Sequence, residues 1–157
     1  MANRALLTPD QLRELIRYEP ETGLFFWLPR TKDLTLDLIG KMASRNVDAF
    51  NIGDAGKQIK MRETTWGYLE FSLGGRTYSA HRLAYAMHFG KWPRNNIDHI
   101  NGDRKNNRLE NLRGVTSYQN AQNQKKRVDN KSGYVGVRWE AKRKGWIAEI
   151  RVDGKYI

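Results

Sequence analysis

The sequence predicts an α+β protein, in which helices and strands come in successive groups rather than in strict alternation. Three observations lead to this prediction. Residues 7–18 have the pattern of a capped helix, followed by a short apolar strand at 24–28. Residues 66–79 have the pattern of a β-hairpin. Residues 97–127 are typical of strand, long loop, strand and helix.

The N-terminal helix is predicted from its cap. Thr8 is suited to the N-cap, Pro9 to the first helical position, and Gln11 to the amide position of a capping box. Three residues, Leu12, Leu15 and Ile16, would form its apolar stripe. Residues 29–60 combine scattered glycines and charges, and we expect mostly loop with short strands there.

The hairpin and the helix after it are predicted from periodicity. Large apolar residues alternate with others over residues 66–73, and Gly74–Gly75 is a hairpin turn signal. Residues 81–90 carry apolar side chains at helical spacing and end on a glycine. Residues 113–116 are compatible with a strand, and residues 117–127 predict a helix with a basic end.

The composition restricts the classes of function. The formal net charge of the 157 residues is +11, with +1 in residues 1–60, +7 in residues 61–127 and +3 in residues 128–157. Such an excess usually serves nucleic acid. There is no cysteine, which excludes disulfides and Cys-ligated metal sites. No window is apolar enough to span a bilayer, and no signal-peptide pattern is present, so we expect a cytoplasmic protein.

The basic segment contains the residue types that a phosphodiester nuclease needs. Asp98 offers a carboxylate for a divalent cation, and His99 offers a base that works near neutral pH. Asn120 can supply a neutral oxygen ligand, and Asn123 lies on the same face of the predicted helix. Adjacent strand residues point to opposite faces, so the strand must end or bulge at this pair, which Gly102 favours.

The run from Asp98 to Asp103, followed by Asn106-Asn107, Asn111-Leu112-Arg113 and residues 117–120, resembles the HNH endonucleases of the phage and intron-homing type. Residues 8–127 take part in this resemblance, although 29–60 match only loosely. The resemblance implies a ββα-metal nuclease core with an N-terminal α/β extension.

The roles of single residues follow from this resemblance. It implies that Asp98 is a metal ligand, that His99 is the general base, and that Asn111 pins the loop and orients His99. Asn120 stands where the family has its final histidine and would be the second ligand, with Asn123 as its substitute. The resulting H-N-N pattern favours one Mg²⁺ or Mn²⁺ per active site.

The loop also supplies cations and turn residues. We expect six basic residues to contact DNA phosphates: Arg104, Lys105, Arg108, Arg113, Lys125 and Lys126. We expect three asparagines, Asn101, Asn106 and Asn107, to serve only as turn residues.

Residues 132–157 resemble the start of an ethylene-response-factor-type DNA-binding domain. The resemblance implies DNA contacts from four residues, Arg138, Trp139, Trp146 and Arg151. About 30 residues are too few for an independent fold, so we expect an incomplete β-sheet module. A plain β-hairpin of the same domain is the alternative.

These observations predict three segments: an N-terminal extension (1–60), an HNH nuclease domain (61–127) and a partial DNA-binding domain (128–157). We expect a monomeric, magnesium-dependent endonuclease that nicks double-stranded DNA, in the host cytoplasm if a phage encodes it. A DNA-binding protein without catalysis is the main alternative. The same positive charge would also suit a protein that acts on RNA, which is the third alternative.

Overall fold

The computed structural model describes residues 6–40, 46–122, 130–134, 136–149, 151–152 and 155–156. The chain divides into two compact units, Met1–Ser117 and Tyr118–Ile157. None of the helices in the described ranges is long and apolar enough to cross a membrane.

The first unit opens with a short helix and a β-hairpin. Helix α1 (Pro9–Arg13) begins at Thr8 with the predicted capping box. Strand β1 (Ile16–Glu19) then pairs antiparallel with β2 (Leu24–Trp27). The prediction of one helix over residues 7–18 was therefore wrong in its second half. Pairing with β2 supplies the backbone hydrogen bonds of that segment, and one side of the strand is buried.

Residues 29–60, predicted to be mostly loop with short strands, contain two helices in their described part, together with a β-bridge between Phe26 and Gln58. Helix α2 (Lys32–Leu38) begins after Thr31, whose side chain accepts a hydrogen bond from the Leu34 amide, and α3 (Val47–Gly53) follows. A threonine N-cap is a recognisable helix start, so this part of the prediction missed a local signal.

The predicted hairpin and helix are present. Strands β3 (Arg62–Glu63), β4 (Leu69–Leu73) and β5 (Arg76–Ser79) form an antiparallel sheet in that order. Helix α4 (Ala80–Phe89) follows directly and ends at Gly90. Its buried face packs on the sheet and so brings the chain back to the next strand.

One apolar core holds the first unit together. It collects buried side chains from both sides of residue 60, including Leu12, Leu15, Phe25, Phe71, Tyr78, Leu83, Ile97 and Leu112. The predicted boundary between residues 60 and 61 therefore separates residues that share one core. The assignment of separate functions to the three segments stays a prediction.

Strand, loop, strand and helix follow as the sequence predicts. Strand β6 (Asn96–His99) pairs antiparallel with β7 (Leu112–Val115), and a 3₁₀ turn (Leu109–Asn111) leads into β7. Helix α5 (Ser117–Gln122) begins at the end of the first unit. The predicted continuation of this helix to residue 127 lies outside the described residues.

The second unit contains two hairpins in its described part. Strand β8 (Val137–Glu140) pairs antiparallel with β9 (Gly145–Ala148). Strands β10 (Arg151–Val152) and β11 (Lys155–Tyr156) pair with each other.

Candidate nuclease site

The Asp98–His99 pair lies at the end of a regular strand. Asp98 pairs with Arg113 and His99 pairs with Leu112 across the β6–β7 ladder. Ile97 and His99 are both buried, which places Asp98 on the opposite face of β6. The ladder has no bulge at this pair, and the strand ends at His99, where the Gly102 amide bonds the His99 carbonyl. Because the two side chains point to opposite faces of β6, they can contact the same ligand only if that ligand lies at the end of the strand.

His99 lies in a pocket of rings and amides. Its side chain is 4% exposed, and its Nε2 lies 3.3 Å from Oδ1 of Asn107. The rings of Tyr68 and His81 lie 5.9 and 5.3 Å away, centroid to centroid. Burial lowers the pKa of His99, although its bond to Asn107 and the charge of Asp98 act in the opposite direction. The imidazole is therefore neutral near pH 7, the form a general base requires.

Asn107 determines which nitrogen of His99 carries the proton. The Asn107 side chain is buried, and its Nδ2 donates to the Lys105 carbonyl at 3.1 Å. Its Oδ1 thus faces His99, so Nε2 is the donor and Nδ1 holds the lone pair. Asn107 was expected to serve only as a turn residue; instead its side chain bonds the predicted base.

Asn111 spans the base of the loop. Its Oδ1 accepts from the Asn101 amide at 3.0 Å, and its Nδ2 donates to the Asn106 carbonyl at 2.8 Å. These bonds fit the loop-pinning half of its predicted role. The orienting bond to His99 comes from Asn107 instead.

The Asp98 carboxylate is held by Arg113. Nε and Nη2 of Arg113 both donate to Oδ2 of Asp98, at 3.2 and 2.9 Å. An ionised carboxylate only accepts hydrogen bonds, and its oxygens can also coordinate a cation. Arg113, predicted to hold a phosphate, therefore orients the predicted metal ligand in this structure.

The other predicted loop cations also contact protein groups. Arg104 donates to the Trp66 carbonyl at 2.6 Å, and its guanidinium lies 4.9 Å from the ring centroid of Tyr68. Lys105 pairs with Glu63 at 2.6 Å. Arg108 pairs at 3.9 Å with a glutamate two residues later. These ion pairs are solvent-exposed, so phosphates can replace the carboxylates at little cost.

The remaining predicted ligands and cations lie beyond the first unit. Asn120 lies in α5, on the part of that helix that belongs to the second unit, so its approach to Asp98 stays a prediction. The predicted substitute ligand and the two lysines fall outside the described residues: Asn123, Lys125 and Lys126.

Three of the four predicted tail contacts lie on the β8–β9 hairpin. Arg138 is paired with Glu140 and Glu149, at 2.9 and 2.8 Å. Trp139 and Trp146 pack edge-to-face with ring centroids 5.3 Å apart, and about half of each side chain is exposed. Arg151 lies in β10. Because side chains alternate along a strand, Arg138 and Trp139 leave opposite faces of the hairpin.

The predicted ligands, Asp98 and Asn120, are of the types that a hard divalent cation prefers. Within the described residues, no group of three or more histidine, aspartate and glutamate side chains is arranged to hold a metal ion. One carboxylate and one amide oxygen, completed by water, suit Mg²⁺ or Mn²⁺ rather than zinc.

A comparison with protein families assigns the segment that carries these residues. Residues 78–122 match the model of an HNH endonuclease family. This stretch is similar to HNH endonucleases. The HNH segment (residues 78–122) runs from β5 through α4, β6 and β7 into α5, and contains Asp98, His99, Asn107 and Asn111.

Two known proteins are similar to parts of the chain. Protein 3.8 of Escherichia phage T7 is 37% identical over 59 residues, which are 38% of this chain and 49% of that protein. The structure titled "DNA binding and cleavage by the HNH homing endonuclease I-HmuI" is 26% identical, with a TM-score of 0.44, over 70% of this chain and 51% of that one. The chain therefore spans about half the length of each.

The comparisons do not support the second resemblance. The HNH segment ends before the tail, and no match supports an ethylene-response-factor-type domain in residues 132–157.

Sequence reasoning missed two residues of the site, Asn107 and His81. His81 lies at the start of α4, and its Nδ1 is buried without a hydrogen-bond partner. Both belong to the HNH segment, but only the folded chain brings them against His99.

Proposed function

We propose that this protein is a divalent-metal-dependent DNA endonuclease that nicks one strand, with His99 as the general base. The observation that carries the proposal is the buried His99, held through Nε2 by Asn107 inside the HNH segment, and burial lowers the pKa of this imidazole. A buried imidazole with a fixed donor side leaves its other nitrogen to accept a proton.

The roles of the chain's own groups follow from this arrangement. Nδ1 of His99 takes a proton from the water that attacks the phosphorus, while Oδ1 of Asn107 accepts a hydrogen bond from Nε2–H and so stabilises the resulting imidazolium. Asp98 and Asn120 would hold one Mg²⁺ or Mn²⁺, and Arg113 keeps the Asp98 carboxylate oriented. A bound cation would supply positive charge to the phosphate and the leaving 3′ oxygen in the transition state.

Substrate binding is assigned to the basic surface of the loop. Arg104, Lys105 and Arg108 are at the surface beside the site, and their partners are exposed main-chain or carboxylate groups. We propose that double-stranded DNA replaces these partners with phosphates, as a net charge of +7 over residues 61–127 favours.

A non-catalytic DNA-binding protein is the second candidate, and two observations favour it. His99 is only 4% exposed, as a structural histidine would be, and Asp98 leaves the other face of β6. In this alternative the loop would serve only to present its cations to DNA.

A plasmid assay separates the two functions. Supercoiled plasmid is incubated with the full chain and Mg²⁺ or Mn²⁺, and open-circular product is measured with and without EDTA. We expect metal-dependent nicking that His99→Ala and Asp98→Asn abolish, while His88→Ala, an exposed histidine of α4, preserves it. Tight DNA binding by wild type without any response to divalent ions would establish the binding protein instead.

Binding measurements on Asp98→Asn complete the test. We expect this variant to lose Mg²⁺ binding, measured by calorimetry, and to keep most of its DNA affinity. Cleavage by His99→Ala at the wild-type rate would exclude the proposed base.

A further inference from the structure

The hairpin β1–β2 contacts the loop that carries Asn107, although more than eighty residues separate them in the chain. The hydroxyl of Tyr18 donates to the Asn107 carbonyl at 2.8 Å. Two residues on, the Leu109 amide donates to the carbonyl of Pro20 at 2.9 Å. The hairpin therefore holds the backbone of the loop on both sides of Arg108.

The turn of this hairpin lies directly against the same peptide. Gly23 has φ +74°, and a Cβ built on it would lie 2.5 Å from the Arg108 nitrogen and 2.6 Å from the Asn107 carbonyl carbon. Both contacts involve backbone atoms, which cannot move aside as the end of a side chain can. Glycine at this position is therefore what allows the turn and the loop to touch.

Tyr18 is a stable donor in this contact. Its ring packs on Phe25 with centroids 4.8 Å apart, and burial, with a smaller effect of Glu21, raises the pKa of its hydroxyl. The hydroxyl therefore keeps its proton over the working range of pH and can donate continuously to the Asn107 carbonyl.

We infer that the N-terminal hairpin is a positioning element for His99, acting through Asn107. Tyr18 and Gly23 determine where the Asn107 peptide lies, and the Asn107 side chain holds Nε2 of His99. The hairpin lies outside the HNH segment, which begins at residue 78. The catalytic consequence rests on the proposed function, whereas the orientation of the imidazole does not.

A matched pair of glycine variants tests the inference. Gly23→Ala places a methyl group against the loop, whereas Gly75→Ala, at the same φ of +74°, meets no atom within 4 Å. The two variants therefore share the cost of a left-handed alanine and differ in the contact with the Asn107 peptide. Circular dichroism and thermal unfolding verify that both variants fold.

A second pair removes only a hydroxyl. Tyr18→Phe deletes the donor to Asn107, while Tyr78→Phe deletes a buried hydroxyl that accepts from the Leu7 amide at 3.2 Å. The Tyr78 variant controls for general loss of stability, because that hydroxyl has no bond to the loop.

Two readouts are measured on the full-length variants. The ¹⁵N and ¹H resonances of the His99 ring report the bond at Nε2 and do not require activity. The kcat of plasmid nicking and the Kd for DNA report the consequence for chemistry. We expect Gly23→Ala and Tyr18→Phe to shift the ring resonances and to lower kcat about 10- to 100-fold with Kd within about twofold, since small displacements of a catalytic group have effects of that size.

The two control variants and the hairpin variants have different expected results. Gly75→Ala and Tyr78→Phe should keep the wild-type ring resonances and kcat. Unchanged His99 resonances in both hairpin variants, or shifted resonances with an unchanged kcat, would overturn the inference. If Gly23→Ala does not fold, Tyr18→Phe decides the question, and if wild type does not cleave DNA, the ring resonances still decide whether the hairpin orients His99.

Discussion

Replacing Asn107 by alanine removes the acceptor that holds the predicted base. The Nε2–H of His99 would then lose its acceptor, in a side chain that is only 4% exposed. Leaving a buried donor unsatisfied costs about 1–3 kcal/mol. The lost bond from Nδ2 to the Lys105 carbonyl adds little, because that carbonyl belongs to an exposed residue.

The expected loss in the free energy of unfolding is about 2 kcal/mol. For a unit of this size that corresponds to roughly 8 °C in Tm. The kcat of DNA nicking should fall about 100-fold, because the imidazole loses the bond that sets its tautomer and direction. The assays are thermal unfolding followed by circular dichroism, and the initial rate of plasmid nicking at saturating Mg²⁺.

Asn106→Ala is the matched control for this prediction. Asn106 is the preceding residue of the same loop, and its side chain accepts from the Arg108 amide at 3.2 Å. Its backbone carbonyl, which accepts from Asn111, survives the substitution. We expect the control to lose less than about 1 kcal/mol and to keep its kcat. Equal losses in the two variants would refute the reasoning, since the bond to His99 would then add nothing beyond an ordinary turn contact.

Two further predictions concern pH and charge. Burial lowers the pKa of His81 to about 4, from 6.5. The unfolded chain therefore binds more protons between these values, and the free energy of unfolding should fall by up to about 3 kcal/mol as pH drops from 6.5 to 4. His81→Gln should flatten urea-unfolding midpoints over this range and the exposed His88→Gln should not; an equal slope in both would contradict the assignment. Arg104→Ala should weaken DNA binding for all sequences and reduce the slope of log Kd against log salt by about 0.9, while Lys32→Ala in α2 should leave it unchanged.

The elements best predicted from the sequence are those whose signals are local. The Gly74–Gly75 turn, the alternation around it and the helix that ends at Gly90 all depend on neighbouring residues, and the structure contains each of them. The second half of the predicted N-terminal helix failed for the opposite reason. Its residues Ile16–Glu19 form a strand because a partner, Leu24–Trp27, pairs with them and the core covers their buried face.

The residue types of the candidate site could also be predicted from the sequence. The excess of positive charge, the carboxylate and imidazole at adjacent positions and the spacing to Asn111 depend only on the order of residues. These features led to the HNH resemblance, and residues 78–122 match an HNH endonuclease family.

The contacts of the loop were decided by tertiary structure. Several asparagines between β6 and β7 are locally equivalent, and nothing in their spacing distinguishes the one that bonds His99 from those that close turns. Which asparagine bonds His99 depends on the path of the loop. Tyr18 and Gly23, which are distant in the sequence, contact the loop backbone at Asn107 and Arg108 and so fix this path. Residue order therefore determined which chemical groups this protein has, whereas long-range packing determined which of them face one another, because hydrogen bonds between distant residues form only once the chain has folded.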